Sequence, residues 1–467
     1  MKQVSIHTSD QAILSAWQQG ICEASKDAAF KQVLLQQEGE LLPCFVDHYQ
    51  RLKAFPRRMR RALQRQWRRS LAGLAVLLAL GQAPGLAATI NVGGTCTLVD
   101  AVTAANTDNA TGGCTAGAGA DTLVLRPGST QVLAAVHNTT YGSTGLPVIT
   151  SAITISCNAA AIRRVSTADF RIFAVSFGGN LTLQQCTVSG GRLAGNFLGG
   201  GIYNDGILTL IGSTISGNSV TYNGGGVFNY GSLAVVGSTI SGNNAARACG
   251  GVFNDDTATA AITNSTISNN SAFGGGGVCN DTTGTFNLTA STISGNAARD
   301  AGGGVNNRGD LTLDSMLISG NIAPIGREVY NSVGTIAANN FNLFGFNGSA
   351  GITGFTLGPN DVVPVAGMTL LEVVAALGDN GGTTQTHALV AGSPALNAVG
   401  VGCPPPLADQ RGITRPQGVR CDIGSFELIE GTAPPPAVPR PPPSSTARYG
   451  ISTRRQRNLG APTDRMS

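Results

Sequence analysis

Lysine stops early in this chain: Lys2, Lys26, Lys31 and Lys53 are the complete set in 467 residues. The long remainder therefore has no lysine to act as a general base, and its histidines are His137 and His387. Aromatic residues make up 5% of the chain, so any core must be built from Val, Ile, Leu and Ala. Charged residues make up 12%, about half the usual share. No CxxC and no close histidine pair occurs, which removes the common zinc-site patterns. No run of ten or more residues with helical periodicity escapes glycine across the central part, which excludes a helical solenoid.

What the chain has in quantity is glycine, 64 residues, beside 42% apolar content. Short β-branched runs separated by glycines suit short strands joined by tight turns. Charge is unevenly placed. Residues 51–69 hold eight arginines besides Lys53, whereas residues 88–430 carry 12 Arg against 19 Asp plus Glu, a net near −7 although the whole chain is +4. A nucleic-acid surface needs clustered cations on the folded part, and that part is acidic. Nucleic acid is not an expected partner.

The stretch RRMRRALQRQWRRSLAGLAVLLALGQAPGLAATINV has the three parts of a secretory signal. An arginine-rich segment precedes an apolar core, Leu71 to Leu80, and small residues allow cleavage after Ala87. The core is about half the roughly 20 residues needed to span a bilayer, so residues 59–87 read as a signal peptide and not as an anchor. Residues 1–58 read as an extension that is removed with it. No stable transmembrane segment is expected after cleavage.

Export changes how ten cysteines read. Cys22 and Cys44 precede the cleavage site. Cys96 and Cys114 are 18 apart, as are Cys403 and Cys421, and each pair could close a loop worth roughly 3 kcal/mol in an oxidising compartment. Cys157, Cys186, Cys249 and Cys279 fall among the repeats, where they read as small buried thiols.

The repeats are the dominant feature. GGGIYNDGILTLIGSTISGN at 199–218 returns as GGGVFNYGSLAVVGSTISGN at 224–243. An apolar-aromatic-Asn unit recurs at Asn204, Asn229, Asn254 and Asn280, then at Asn307 and Asn331, in steps of 24 to 27 residues. A second block closes on Asn218, Asn243, Asn270 and Asn296, then Asn321. Each unit holds three short alternating runs broken by Gly or Asn, which tolerate the left-handed backbone of turns. Such a period marks a solenoid. About 25 residues suit one coil of a parallel β-helix, and a propeller blade would need roughly 40. Stacked Ile and Val would fill the interior, and stacked Asn would form amide ladders between coils about 4.8 Å apart. The glycine triplets precede strands and not helices, so they are turn chemistry and not a phosphate cradle.

At these residues the chain resembles right-handed parallel β-helix proteins of the polymorphic-outer-membrane and pectate-lyase-like type. CTLVDAVTAANTD at 96–108 resembles the segment that names the CSLREA domain, with Val99-Asp100 in place of its Arg-Glu. The stretch at 380–427, with NGGTTQTHALVAGSPALNA and DQRGITRPQGVRCDIGSFE, is similar to the closing segment of choice-of-anchor Q proteins. The resemblance implies an all-β, single-stranded, right-handed parallel β-helix in a secreted or surface-attached bacterial protein. It divides the chain into an N-terminal cap with first coils at 88–150, repeats at 151–345, a C-terminal cap at 346–430 and a disordered Pro-rich tail at 431–467. Eight or nine coils from about residue 120 to 345 would stand about 40 Å tall.

Many β-helix lyases and hydrolases of polysaccharide use stacked Asp, with an Arg or Lys base. Here Asp205, Asp255 and Asp281 share the slot after the ladder Asn, and Asp256 adjoins one of them. Two carboxylates on adjacent coils would lie about 5 Å apart, near the separation in retaining glycosidases. Tyr230 and Arg308 hold the same slot elsewhere, which favours turn chemistry over weak Ca²⁺ binding or catalysis. No cofactor is expected. Arg308-Gly309-Asp310 is the ordinary turn before a strand, and Asp409, Arg411 and Arg415 read as an exposed ion-pair set. The expected function is a non-enzymatic scaffold or adhesin-like binder of an extracellular glycan or surface protein, with a polysaccharide lyase or glycoside hydrolase as the alternative.

Overall fold

The structure, a computed structural model, describes residues 87–338, 341–400, 403 and 406–429. The extension at 1–58, nearly all of the signal-like segment and the Pro-rich tail lie outside the described residues. The rest is an all-β parallel β-helix. One coil runs Ile202–Asn204, Ile207–Ile211, Thr214–Ser216 and Ser219–Val220. The next repeats it in register, Ile202 over Val227, Leu208 over Leu233 and Ile215 over Ile240. Stacking gives parallel sheets of ten, eight, nine and five strands. The fourth, two-residue strand is absent from the three-run reading of the repeat. The stack is also deeper than the repeat region, from Thr89–Val92, which pairs with Asp121–Leu125, to Ile352–Thr353.

Alternation decides what goes inside. In the ten-stranded sheet Leu208 and Leu210 point inward and Ile207, Thr209 and Ile211 outward. The inward columns of the sheets are apolar and buried: Val188, Ile215, Ile240, Ile267, Ile293 and Ile318 form one. Volume is balanced between coils, for Ala260 lies under Phe286 in another column. A core packed to crystal-like density requires such trade-offs.

The polar columns obey a stricter rule. Asn204, Asn229, Asn254, Asn280, Asn307 and Asn331 form a ladder in which each Nδ2 donates to the Oδ1 of the next coil at 2.6–3.1 Å. A second ladder joins Asn218, Asn243, Asn270, Asn296 and Asn321 at 2.9–3.0 Å. There each Oδ1 also accepts a backbone N–H, and each Nδ2 gives its other hydrogen to a carbonyl such as Ile215 O. Apart from the partly exposed Asn331, these amides are buried, and they are paired except at the N-terminal head of the first ladder, where the Asn204 Oδ1 has no partner. A third column carries Ser213, Ser238, Ser265 and Ser291, whose Oγ atoms accept the N–H of the preceding coil.

The third glycine of each triplet makes room for the second ladder. A Cβ at Gly226 or Gly304 would come within about 3 Å of Asn243 or Asn321. In the coil after Gly304, GREVYN replaces the glycine with Glu328, and its carboxylate takes the next rung. Glu328 accepts from Asn321 Nδ2 at 2.6 Å and from the N–H groups of Gly320 and Asn321. A ladder that donates toward its C-terminal end needs an acceptor there. Burial raises the Glu328 carboxyl to about 7, against the lowering by these hydrogen bonds and by Arg327.

At the N-terminal end the helix Leu98–Thr107 lays Leu98, Ala101, Val102, Ala104 and Ala105 on the first coils, and the Thr97 hydroxyl caps it by accepting from Asp100 N. Residues 380–400 and 406–428 do more than follow the last coil. They run back along the outer face of the nine-stranded sheet, over the Ser-Thr-Ile-Ser columns. Gln410 bonds Thr239 and Thr266, Ser425 bonds Thr292, and Thr384 bonds Gly237 O. The His387 Nδ1–H donates to Ala375 O, so Nε2 accepts from the Ser268 hydroxyl at 2.9 Å. Burial holds this imidazole below its ordinary pKa, in the neutral form that the pair needs.

Asn254→Ala removes the ladder acceptor of Asn229 Nδ2 and the ladder donor to Asn280 Oδ1, and is expected to cost about 1–3 kcal/mol. Ile240→Ala opens a cavity in the apolar column and should cost about 2–5 kcal/mol. Denaturant unfolding measures both, and loss-free variants would contradict the ladder and the column.

Glu328 sets a pH dependence. Its folded pKa is raised, so its contribution is fully present below about 4.5 and is lost as pH rises through about 7, on the order of 3 kcal/mol. Glu328→Gln, which stays neutral, should flatten unfolding free energy between pH 4.5 and 8. An unchanged slope in the variant would show that other groups cause it.

Candidate functional site

The slot after the first ladder Asn lies at the corner between the eight-stranded and ten-stranded sheets. Its occupants are Asp205, Tyr230, Asp255, Asp281, Arg308 and Ser332 on successive coils. Asp281 is already engaged. Its Oδ1 accepts from Thr282 N at 2.9 Å and from the Thr282 hydroxyl, and it lies 3.3 Å from the Arg308 guanidinium. Asp256 accepts from Thr283 N of the next coil at 3.4 Å. Asp255 is half-buried, and its carboxyl is pushed above the ordinary range, by burial first and then by Asp281 and Asp256, against a lowering backbone hydrogen bond. Asp205 lies beside Tyr203, whose phenol rises to about 12 through burial first and Asp205 second. The structure thus brings Asp255, Asp256 and Asp281 to one corner with Arg308, and places Asp205 two coils away. Among the described residues no three His, Cys, Asp or Glu side chains form a group able to hold a metal ion.

The Arg308-Gly309-Asp310 turn is absorbed into this corner. Arg308 pairs with Asp281, and the Asp310 carboxylate accepts from the Thr335 hydroxyl at 2.6 Å. The closing-segment ions are a correction to the sequence reading, because they pair inside the protein and not on its surface. Arg411 lies 2.6 Å from Asp409 and Arg415 lies 3.2 Å from Glu427, and Asp409, Arg415 and Glu427 are buried. They fix the segment to the sheet, with Arg415 also reaching Asn264.

The structure joins Cys96 to Cys114 and Cys403 to Cys421. The expectation of buried free thiols at the other four cysteines is overturned: Cys157 bonds Cys186, and Cys249 bonds Cys279. Their spacings of 29 and 30 exceed one coil by a few residues, which sets the partners on neighbouring coils. Cys249 stands where other coils begin their glycine triplet, at φ 55°, and Cys279 takes the aromatic slot. That slot otherwise stacks Tyr203, Phe228 and Phe253, with centroids 5.9 and 5.1 Å apart. The signal was in the sequence as two cysteines breaking two different columns.

The outer faces differ in what they offer. The nine-stranded sheet is covered at Thr239, Thr266 and Thr292 by the closing segment, while Thr187 and Thr214 stay partly exposed. The ten-stranded sheet presents rows of Thr, Ser, Ala and Asn with exposed Ile207, Ile211 and Val236. Beside the two-residue strands lies a recess of about 270 Å³ bordered by Asn244, Ser271, Phe273 and Arg299. Sequence reasoning missed it because its strands carry no visible alternation.

No protein-family model matches this chain, and no curated protein matches it. Among solved structures, the crystal structure of pectate lyase Pel9A is similar to this chain with a TM-score of 0.37 and 17% identity, over 66% of this chain and 88% of that one.

Proposed function

We propose that this chain is an exported β-helix that acts as a scaffold or adhesin-like binder of an extracellular glycan or partner surface, in the manner of the choice-of-anchor Q and CSLREA-type proteins it resembles. The observation that carries this reading is the state of the aspartate corner. Asp281 and Asp256 each commit Oδ1 to a turn N–H group, and Arg308 pairs with Asp281 through the same oxygen. Four disulfides fit an oxidising compartment. Among the described residues no helix is long and apolar enough to cross a membrane. A binder needs a stiff frame with exposed polar rows, and in-register stacking supplies both.

One observation favours the alternative of a polysaccharide lyase or hydrolase. Asp255, with its raised carboxyl, stands next to Asp281 and one coil further from Arg308, an acid, a carboxylate and a cation in sequence. The two readings separate on a double variant. Asp255→Ala with Asp281→Ala is expected to leave thermal unfolding nearly unchanged, with or without millimolar Ca²⁺, and to leave glycan-array binding intact. A large Ca²⁺-dependent stabilisation lost in the variant, or a sugar-cleaving activity abolished by it, would make the corner a site. Intact-mass analysis of the exported form should find its N-terminus at or near Ala88; a cytoplasmic chain retaining Met1 with reduced cysteines would contradict export.

A further inference from the structure

The row of two-residue strands carries an inference that rests on the binder reading and goes beyond it. The second residue of each strand faces a small apolar row outside the main core: Leu193, Val220, Ala245, Ala272 and Ala298. Side-chain volume falls along this row from Leu through Val to Ala. Ala245, Ala272 and Ala298 lie in the floor of the recess of about 270 Å³, just below the usual range of ligand pockets.

Its rim is chemically mixed. Phe273 is 53% exposed, a large cost for an aromatic ring with no covering element. Asn244 Nδ2 donates to Ser271 Oγ at 2.8 Å, which leaves the amide oxygen and the hydroxyl hydrogen facing outward chemistry. Arg299 is exposed, and among the described residues no carboxylate pairs with it, although Asp300 follows it in the chain. One coil before Phe273, Arg247 stacks over the Tyr222 ring at 4.6 Å. The edge thus alternates aromatic and cation along successive coils.

We propose that this recess binds one pyranose ring of a polysaccharide. The aromatic face of Phe273 suits the apolar C–H face of a sugar ring, and a sugar's rim hydroxyls match the amide, the hydroxyl and the planar guanidinium fork around it. An aliphatic peptide side chain would bury those three polar groups without partners, at a cost. The alanine floor admits the ring edge, and the repeat of coils gives a linear polymer a direction to follow.

The test is a glycan array with the whole chain, comprising neutral and uronate-bearing oligosaccharides, followed by titration of the best sugar. Phe273→Ala removes the platform, and Ala272→Leu fills the floor with a residue that the same row already accepts at Leu193. Both variants are expected to weaken binding roughly tenfold or more with unchanged unfolding temperature. Neutral sugars binding as well as uronates would assign Arg299 to hydroxyls, and a uronate preference lost in Arg299→Ala would assign it to the carboxylate; either outcome supports the site. A sugar bound equally by wild type and both variants would overturn the recess while leaving the binder reading standing. A folded chain that binds no sugar on the array would overturn the recess and the glycan part of the binder reading together.

Discussion

A side chain in this solenoid has the equivalent residue of the next coil directly above it, about 4.8 Å away. Every inward position must therefore tolerate a neighbour of its own kind. Apolar residues do so by filling space. Among polar residues the amide is well suited, because it is a donor on one side and an acceptor on the other. A stack of carboxylates in the same columns would have no donors and would carry like charges through the core. Within the repeat coils this one requirement accounts for the placement of Asn inside and Asp at the outer corner. At the solvent-facing outer corner, Tyr230 separates Asp205 from Asp255, and Arg308 follows Asp281. Within the second ladder the carboxylate of Glu328 enters at the end, where an acceptor without a further donor is what the column lacks.

The same requirement explains what was legible. Repeated Asn positions announce a ladder because identity between coils is itself the signal, and the coil length follows from the step between them. The fold class, the inward Ile and Val columns and both Asn series were readable on those grounds. Features that break the register were harder. The Gly-to-Glu change at 328 looks like decay of the triplet, and becomes meaningful once Gly304 is seen to clear space for Asn321. Cys249 and Cys279 break two columns at once, and their link needs the geometry of a coil and not a motif.

Long-range docking had no local signature at all. Gln410 meets Thr239 and Thr266, and His387 meets Ser268, across separations of 119 to 171 residues. The Ser-Thr-Ile-Ser block reads as an exposed polar strand when each coil is considered alone. In the central coils it is buried, because the closing segment supplies a matching set of hydroxyl, amide and imidazole partners. The hydroxyl rows are thus a docking surface for the chain's own end as well as an outer face.

A bare solenoid is held mainly by nearest-neighbour contacts, so any coil can loosen with little cost to distant ones. Here the central coils are bound together twice more. The closing segment spans Thr239, Thr266 and Thr292, and the Cys249–Cys279 disulfide links two of the same coils. The recess bordered by Asn244, Ser271 and Arg299 is built on this stretch and on no other. A shallow pocket gains affinity chiefly by not having to be ordered when its ligand arrives. The cross-links thus fall on the very coils that carry the recess, so the lateral segment ties together a stretch that a cap on the last coil would leave held by nearest-neighbour contacts alone.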